Sequence, residues 1–217
     1  MEKKKRIVKS PDVRRAEIIA AAQQLFQTKG YELTSADDIV ALASVAKGTF
    51  YYYFKSKEEV LGALAHHIAT NIAVHARAIA ETEDTDAITK FFAIIAKQKE
   101  IKKTNPELFD DMHRPDNRVL HEKINIETVL VLGSIMASVI EQGKKEGVFE
   151  VEDPLSTIQF ILAGSDMLFG EGMFFWTFEE EIARMKAVLI LIERALGAKP
   201  GLFSPLIDTI LNHHDKR

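Results

Sequence analysis

The 217-residue chain contains no cysteine. That excludes a disulfide scaffold, a cysteine-ligated zinc and thiol catalysis. It also lacks an apolar run long enough to span a bilayer. Its most apolar stretch, 129–140, carries Gly133, Ser134 and Ser138. It falls short of the roughly 20 residues a spanning helix needs, so it reads as a buried helix. Residues 1–12 are charged and have no apolar segment of the secretory type. A cytoplasmic location and no membrane partner are therefore expected. No stretch alternates polar and apolar with period two, and no internal repeat appears. A phosphate loop, a nucleophile elbow and a paired-carboxylate site are all missing, so an enzyme is not expected.

What is present begins with 47% hydrophobic residues, ample for a packed core. The net charge of -4 hides an asymmetry. Residues 1–60 hold 11 Lys/Arg against 8 Asp/Glu, and the remainder holds 17 against 24. A basic end on an acidic body suits a protein that meets a polyanion at one end. A solvated basic tail would give the same balance, so charge does not decide the matter. Lys3, Lys4, Lys5, Arg6 and Lys9 lack apolar periodicity, and residues 1–10 are expected to form a flexible basic arm.

Nearly every other segment reads as helix. Ser10-Pro11 supplies an N-cap and first residue. Ile18, Ala22 and Leu25, widened by Ile19 and Phe26, make an apolar stripe that Gly30 ends. Ser35 and Asp38 form a short capping box before Ala36, Ile39, Val40 and Ala43. Only Ser44, Val45 and Ala46 separate that helix from the next, 47–54, a gap that suits two helices meeting steeply. Further helices are predicted over 57–81 behind a Ser56 cap, 87–103, 105–112, 119–145, 154–169 and 178–196. Gly147 and Pro154 punctuate the later ones, and 114–117 and 170–172 are breaks. The fold class expected is all-α, with about nine helices.

The stretch 18–57 carries the function. Phe50 and Phe54 lie four apart and fit the core face of the third helix. Lys47, Gly48, Tyr51 and Tyr52 fit its outer face. Gly48 lets a backbone approach DNA closely. A tyrosine offers a hydroxyl to phosphate and an apolar edge to a thymine methyl. Lys57 sits where a phosphate could be held. An aromatic core stripe over 51–54 is the plain alternative. It suits Phe50 and Phe54, but three adjacent tyrosines cannot all be buried on one helix.

The run Ala46-Lys47-Gly48-Thr49-Phe50-Tyr51-Tyr52-Tyr53-Phe54-Lys55-Ser56-Lys57-Glu58-Glu59 resembles the recognition-helix signature of the TetR family of bacterial regulators. Motif similarity covers about 12–62. The resemblance implies a helix-turn-helix DNA-binding domain over 11–55 and a ligand-binding and dimerisation domain over 56–217. It implies DNA contacts at Lys47, Gly48, Thr49, Tyr51, Tyr52 and Lys57, with Thr34 or Ser35 on phosphate. Two departures stand out. Ser44 replaces the usual glycine of the turn, and Ala46 replaces a capping serine. Tyr53, commonly His in the family, is expected to pack.

In the body, Ile182, Met185, Leu189, Ile192 and Leu196 follow a 3, 4, 3, 4 spacing, a coiled-coil-like seam. Leu155, Ile158, Leu162, Ser165 and Phe169 make a second seam. Either could pack within one chain. The resemblance implies instead that both pair with their copies in a homodimer reading a palindromic operator. It also implies a small-molecule pocket, for which Phe92, Ile95, Phe109, Met112, Ile126, Val129, Met136, Met167 and Trp176 are candidate lining and an apolar effector is expected. His66, His67, His75, His113 and His121, with Asp110 and Asp111, raise a metal site. No pair has the four-residue spacing of a helical site, and His121-Glu122 does not continue to a second histidine. Neither metal nor cofactor is expected. The function expected is a ligand-responsive transcription regulator acting in the direction of repression, released from its operator by the effector. The alternative is a helical small-molecule binding protein that does not regulate DNA.

Overall fold

The computed structural model describes residues 10–104, 118–169 and 174–206, with backbone only for 102–104. The basic arm, the helix expected over 105–112 and the pocket and metal candidates Phe109, Met112, Asp110, Asp111 and His113 lie outside the described residues. Among the described residues the regular elements are helices: α1 Pro11–Lys29, α2 Ala36–Leu42, α3 Lys47–Tyr53, α4 Lys57–Ala80, α5 Ala87–Thr104, α6 Arg118–Lys145, α7 Pro154–Phe169 and α8 Phe178–Ala195.

Local chemistry accounts for the ends. Ser10 Oγ accepts from the Val13 amide, and Gly30 closes α1 by donating its N–H to the Phe26 carbonyl. Ser35 and Asp38 cap α2 reciprocally, Ser35 N–H donating to Asp38 Oδ2 at 2.8 Å and Asp38 N–H to Ser35 Oγ at 3.1 Å. A second reciprocal box, Thr177 with Glu180, starts α8.

The chain divides into two compact units, 1–68 with 107–124 and 69–106 with 125–217. The division falls within α4 and α6. It follows contacts rather than the division of roles at 55/56 expected above. In the first unit α1 packs on α2, and α2 on α3. Ile18, Ala22, Phe26, Ile39, Phe50, Phe54 and Leu64 are buried there.

The second unit is built around an aromatic knot. The Phe91 ring lies 5.3 Å from Phe203 and 6.1 Å from Phe149. Ile94, Leu132, Met136, Ile140, Ile158 and Leu189 join the same core. By length and composition alone, α6 could cross a membrane. Leu132, Ile135, Met136, Val139 and Ile140 are buried in this core, while Val119, Ile126 and Leu130 of the same helix are exposed.

Two buried charges fasten the unit. Lys90 Nζ donates to the Ala80 carbonyl and to Gln142 Oε1, at 3.0 and 2.9 Å. Gln142 in turn donates to the Thr85 carbonyl, so the ends of α4, α5 and α6 share one network. Glu193 accepts from the Gly201 and Phe203 amides at 3.0 and 2.8 Å, pinning the segment after α8. The Glu150 amide donates to the Leu196 carbonyl. Beside it Gly197 sits at φ 60, and a Cβ there would lie 2.2 Å from the Glu150 carbonyl oxygen. Gly197→Ala is therefore expected to lower stability by about 2 kcal/mol or more, from backbone strain plus the clash. Differential scanning calorimetry should show a fall in Tm of at least about 4 °C.

Candidate nucleic-acid interface

α3 is seven residues long, too short to persist alone in water. Phe50 and Phe54 hold it. Both are buried, their ring centroids 6.2 Å apart. Arg15 on α1 lies over the Phe54 ring at 5.2 Å, fixing the end of α3 from the other side.

With that face inward, the rest of the helix points out. Tyr52 is 75% exposed and Tyr51 42%. Lys47 and Gly48 are exposed, and Thr49 is half-buried. An added Cβ at Gly48 would meet nothing within 4 Å, so no contact inside the described chain calls for a glycine there. Tyr53, half-buried, stands edge-on to Tyr52 with centroids 5.0 Å apart. The surface is thus a ridge of phenols with one cation at its start.

The turn into α3 carries both departures from the family pattern. Ser44 adopts φ 52, the left-handed conformation that glycine takes without penalty. Ala46 makes no side-chain cap, and its carbonyl accepts from the Thr49 and Phe50 amides instead.

The cations around this ridge are held by neighbours the sequence did not disclose. Lys47 Nζ lies 2.8 Å from Asp37 Oδ1 and 3.1 Å from Oδ2. That carboxylate pushes the Lys47 pKa up from its ordinary value. Lys57 Nζ donates to the Tyr31 carbonyl at 2.9 Å and stands 4.0 Å over the Tyr31 ring. The Tyr31 hydroxyl donates to Glu58 Oε1 at 3.2 Å. Burial, then the Glu58 carboxylate, push the Tyr31 phenol up to about 12. Lys29 meets Asp38 at 2.8 Å. That hydrogen bond, then those from Ser35, hold the Asp38 carboxyl far below the usual range. Spacings of 10 and 26 residues separate Lys47 from Asp37 and Lys57 from Tyr31. No local pattern could have paired them.

Of the two phosphate candidates before α2, Ser35 is exposed. Thr34 is 2% exposed, and its hydroxyl donates to the Gly30 carbonyl at 2.7 Å.

The body residues fall into different environments. Met136 belongs to the core of the second unit, with Phe92 and Ile95 packed against it. Val129 is half-buried, while Ile126 and Met167 are exposed. Trp176 Nε1 donates to the Leu168 carbonyl at 3.1 Å, and its ring lies between Phe174 and Arg184. On the two seams, Ile158, Leu189 and Leu196 are in the core of their own chain. Leu162, Phe169, Ile182, Met185 and Ile192 are half-buried, and Leu155 is exposed. Phe160, Met167, Phe178, Ile190 and Leu191, absent from either seam, are exposed apolar residues of α7 and α8, Phe160 at 81%. Among the described residues no group of three or more histidine, aspartate or glutamate side chains could hold a metal ion.

Residues 18–64 match the family model for bacterial regulatory proteins of the tetR family, and residues 100–189 match that for a tetracyclin repressor-like C-terminal domain. The chain belongs to the TetR family. This TetR-family chain is 48% identical over 52 residues to the HTH-type transcriptional regulator EthR of Mycolicibacterium smegmatis. The match covers 24% of each protein, so the chain spans about a quarter of that relative's length. It is 27% identical over 141 residues to the fatty acid metabolism regulator protein of Bacillus subtilis, covering 58% of this chain and 71% of that one. The solved structure of the fatty acid degradation regulator FadR from Bacillus halodurans is 23% identical, with a TM-score of 0.49, over 88% of this chain and 100% of that one. Proteins of the family are DNA-binding transcription regulators, not enzymes.

Two outcomes follow from the geometry of the site. Ser44→Gly relieves about 1–2 kcal/mol of left-handed strain and adds about 0.5–1 kcal/mol of unfolded-state entropy. A net gain of up to about 1 kcal/mol is expected, read as a rise in Tm of about 2–4 °C. The raised Tyr31 pKa contributes stability that is full below about pH 10, the ordinary phenol value, and lost as pH rises through about 12. Absorbance titration near 295 nm should show one late-ionising phenol that Tyr31→Phe abolishes.

Proposed function

We propose that this chain is a ligand-responsive, DNA-binding transcription regulator that works as a homodimer, in the direction of repression. The observation that carries the reading is the outward ridge of α3: Lys47, Gly48, Thr49, Tyr51 and Tyr52 exposed or half-exposed, with Phe50 and Phe54 buried behind them. A helix of this length, anchored on one side and polar-aromatic on the other, suits the major groove. Residues 11–55 would make the DNA-binding part, and 56–217 the part that binds effector and the second copy. Ser35, which is exposed, takes the phosphate role before α2 rather than the buried Thr34. Lys57, held on Tyr31, keeps further N–H donors for a phosphate.

Two copies would read the halves of a palindromic operator about one or more helical turns apart. The exposed apolar residues of α7 and α8, Leu155, Phe160, Ile190 and Leu191, support that pairing. An apolar effector is favoured by the name of the Bacillus subtilis relative and by the apolar character of Phe92, Ile95, Val129 and Met167. Effector binding would act through α4 on the operator spacing. A coupling of about 1–3 kcal/mol would weaken operator binding roughly 5–150-fold. The protein would act in the cytoplasm, where its DNA is.

The test is selection of a binding sequence from a random duplex pool, followed by titration of the selected duplex at several salt concentrations. A palindromic consensus is expected, with affinity falling steeply as salt rises. Gly48→Ala should keep the wild-type melting temperature, since its methyl meets open space, yet bind the selected duplex at least about tenfold more weakly because that space is the groove. No enrichment of any sequence, with binding of small apolar molecules intact, would establish the ligand-binding protein without DNA regulation instead.

A further inference from the structure

The Lys47–Asp37 pair bears on how such a protein avoids the wrong DNA. Asp37 is the second residue of α2 and Lys47 the first of α3, so the pair bridges the two helices across the turn. The ammonium meets both carboxylate oxygens, at 2.8 and 3.1 Å. Both side chains are open to solvent, at 60% and 69% exposure. Burial therefore does not lock them together, and an exposed pair of this kind is weak enough to open. The other carboxylates nearby have structural duties. Asp38 caps α2 and meets Lys29, Glu59 accepts the Lys55 amide and Glu58 the Tyr31 hydroxyl. The described partner of Asp37 is Lys47, the cation at the head of the recognition ridge.

We propose that Asp37 is a specificity-determining residue: by pairing with Lys47 on the outer face of the helix-turn-helix, it withholds that cation from DNA lacking the correct sequence. This rests on the DNA-binding reading above. Affinity for arbitrary DNA comes almost wholly from cations that displace counterions at phosphates. A lysine already neutralised displaces fewer, and its carboxylate repels the backbone. On the operator, base contacts by Gly48, Tyr51 and Tyr52 hold the ridge in a register that leaves Lys47 on Asp37, so removing the carboxylate changes little there. Asp37 thus lowers the background more than the signal.

The experiment compares wild type, Asp37→Asn and Asp37→Ser on a random-sequence duplex and on the selected duplex, by fluorescence anisotropy across a salt series. Both variants are expected to bind random duplex about three- to tenfold tighter. The slope of log affinity against log salt should steepen by about one per protomer. Affinity for the selected duplex should rise less, so the ratio between the two falls. In a Lys47→Gln background the gain from Asp37→Asn should vanish. Unchanged or weaker random-duplex binding in both variants, or a gain that survives without Lys47, overturns the role of Asp37 and leaves the regulator reading standing. Absence of salt-dependent DNA binding in the wild type removes that reading itself.

Discussion

The burial of Phe50 and Phe54 is the constraint on which the interface depends. A seven-residue helix has no stability of its own, and these two rings supply it from one side. Each buried aromatic is worth several kilocalories, on the order of 3–5 kcal/mol against alanine. Because the two are four residues apart, they also fix the rotation of α3. Lys47, Tyr51 and Tyr52 have no inward option once that rotation is set. The exposed ridge is therefore a consequence of the core rather than a separate feature.

Around this anchor the local chemistry is uneven. The turn accepts a non-glycine residue in the left-handed region at Ser44, and α3 starts without a side-chain cap. Either would be a weakness in an isolated peptide. Here α2 is firmly capped by Ser35 and Asp38, and Asp38 also meets Lys29 of α1. The strain sits at the joint, and the elements on either side of it are well secured. Arg15 over Phe54 and Lys57 over Tyr31 tie α1 and the segment after it to the far end of α3 and the start of α4.

The second unit follows a different logic. Its core is aliphatic around a phenylalanine knot, and its two buried charges make charge-assisted hydrogen bonds to neutral backbone and amide groups that close chain turns. Lys90 joins the ends of three helices, and Glu193 fastens the segment that follows α8. A buried charge left without such partners would be strongly destabilising. These groups are thus fixtures of the fold, while apolar residues of α7 and α8 remain exposed. The family resemblance implies an intermolecular seam that includes Ile158 and Leu189. Both are in this chain's own core, and the exposed apolar residues of the two helices are Leu155, Phe160, Met167, Phe178, Ile190 and Leu191. Periodicity marks an apolar stripe, but it does not say which of two neighbours will cover it.

By itself the sequence determined the described helices, most of their ends and the two-sided character of α3. Those depend on interactions within four residues: Ser35 with Asp38, Gly30 with Phe26, Phe50 with Phe54. The motif from Ala46 to Glu59 was legible for the same reason. Only the tertiary structure decided that Asp37 holds Lys47, that Tyr31 holds Lys57, that Thr34 is closed off, and that Met136 belongs to the core. Those facts join residues ten or more apart, or turn on which side of a helix another element happens to cover. A linear pattern carries no distance of that kind, since it records which residues share a face and not what the face meets.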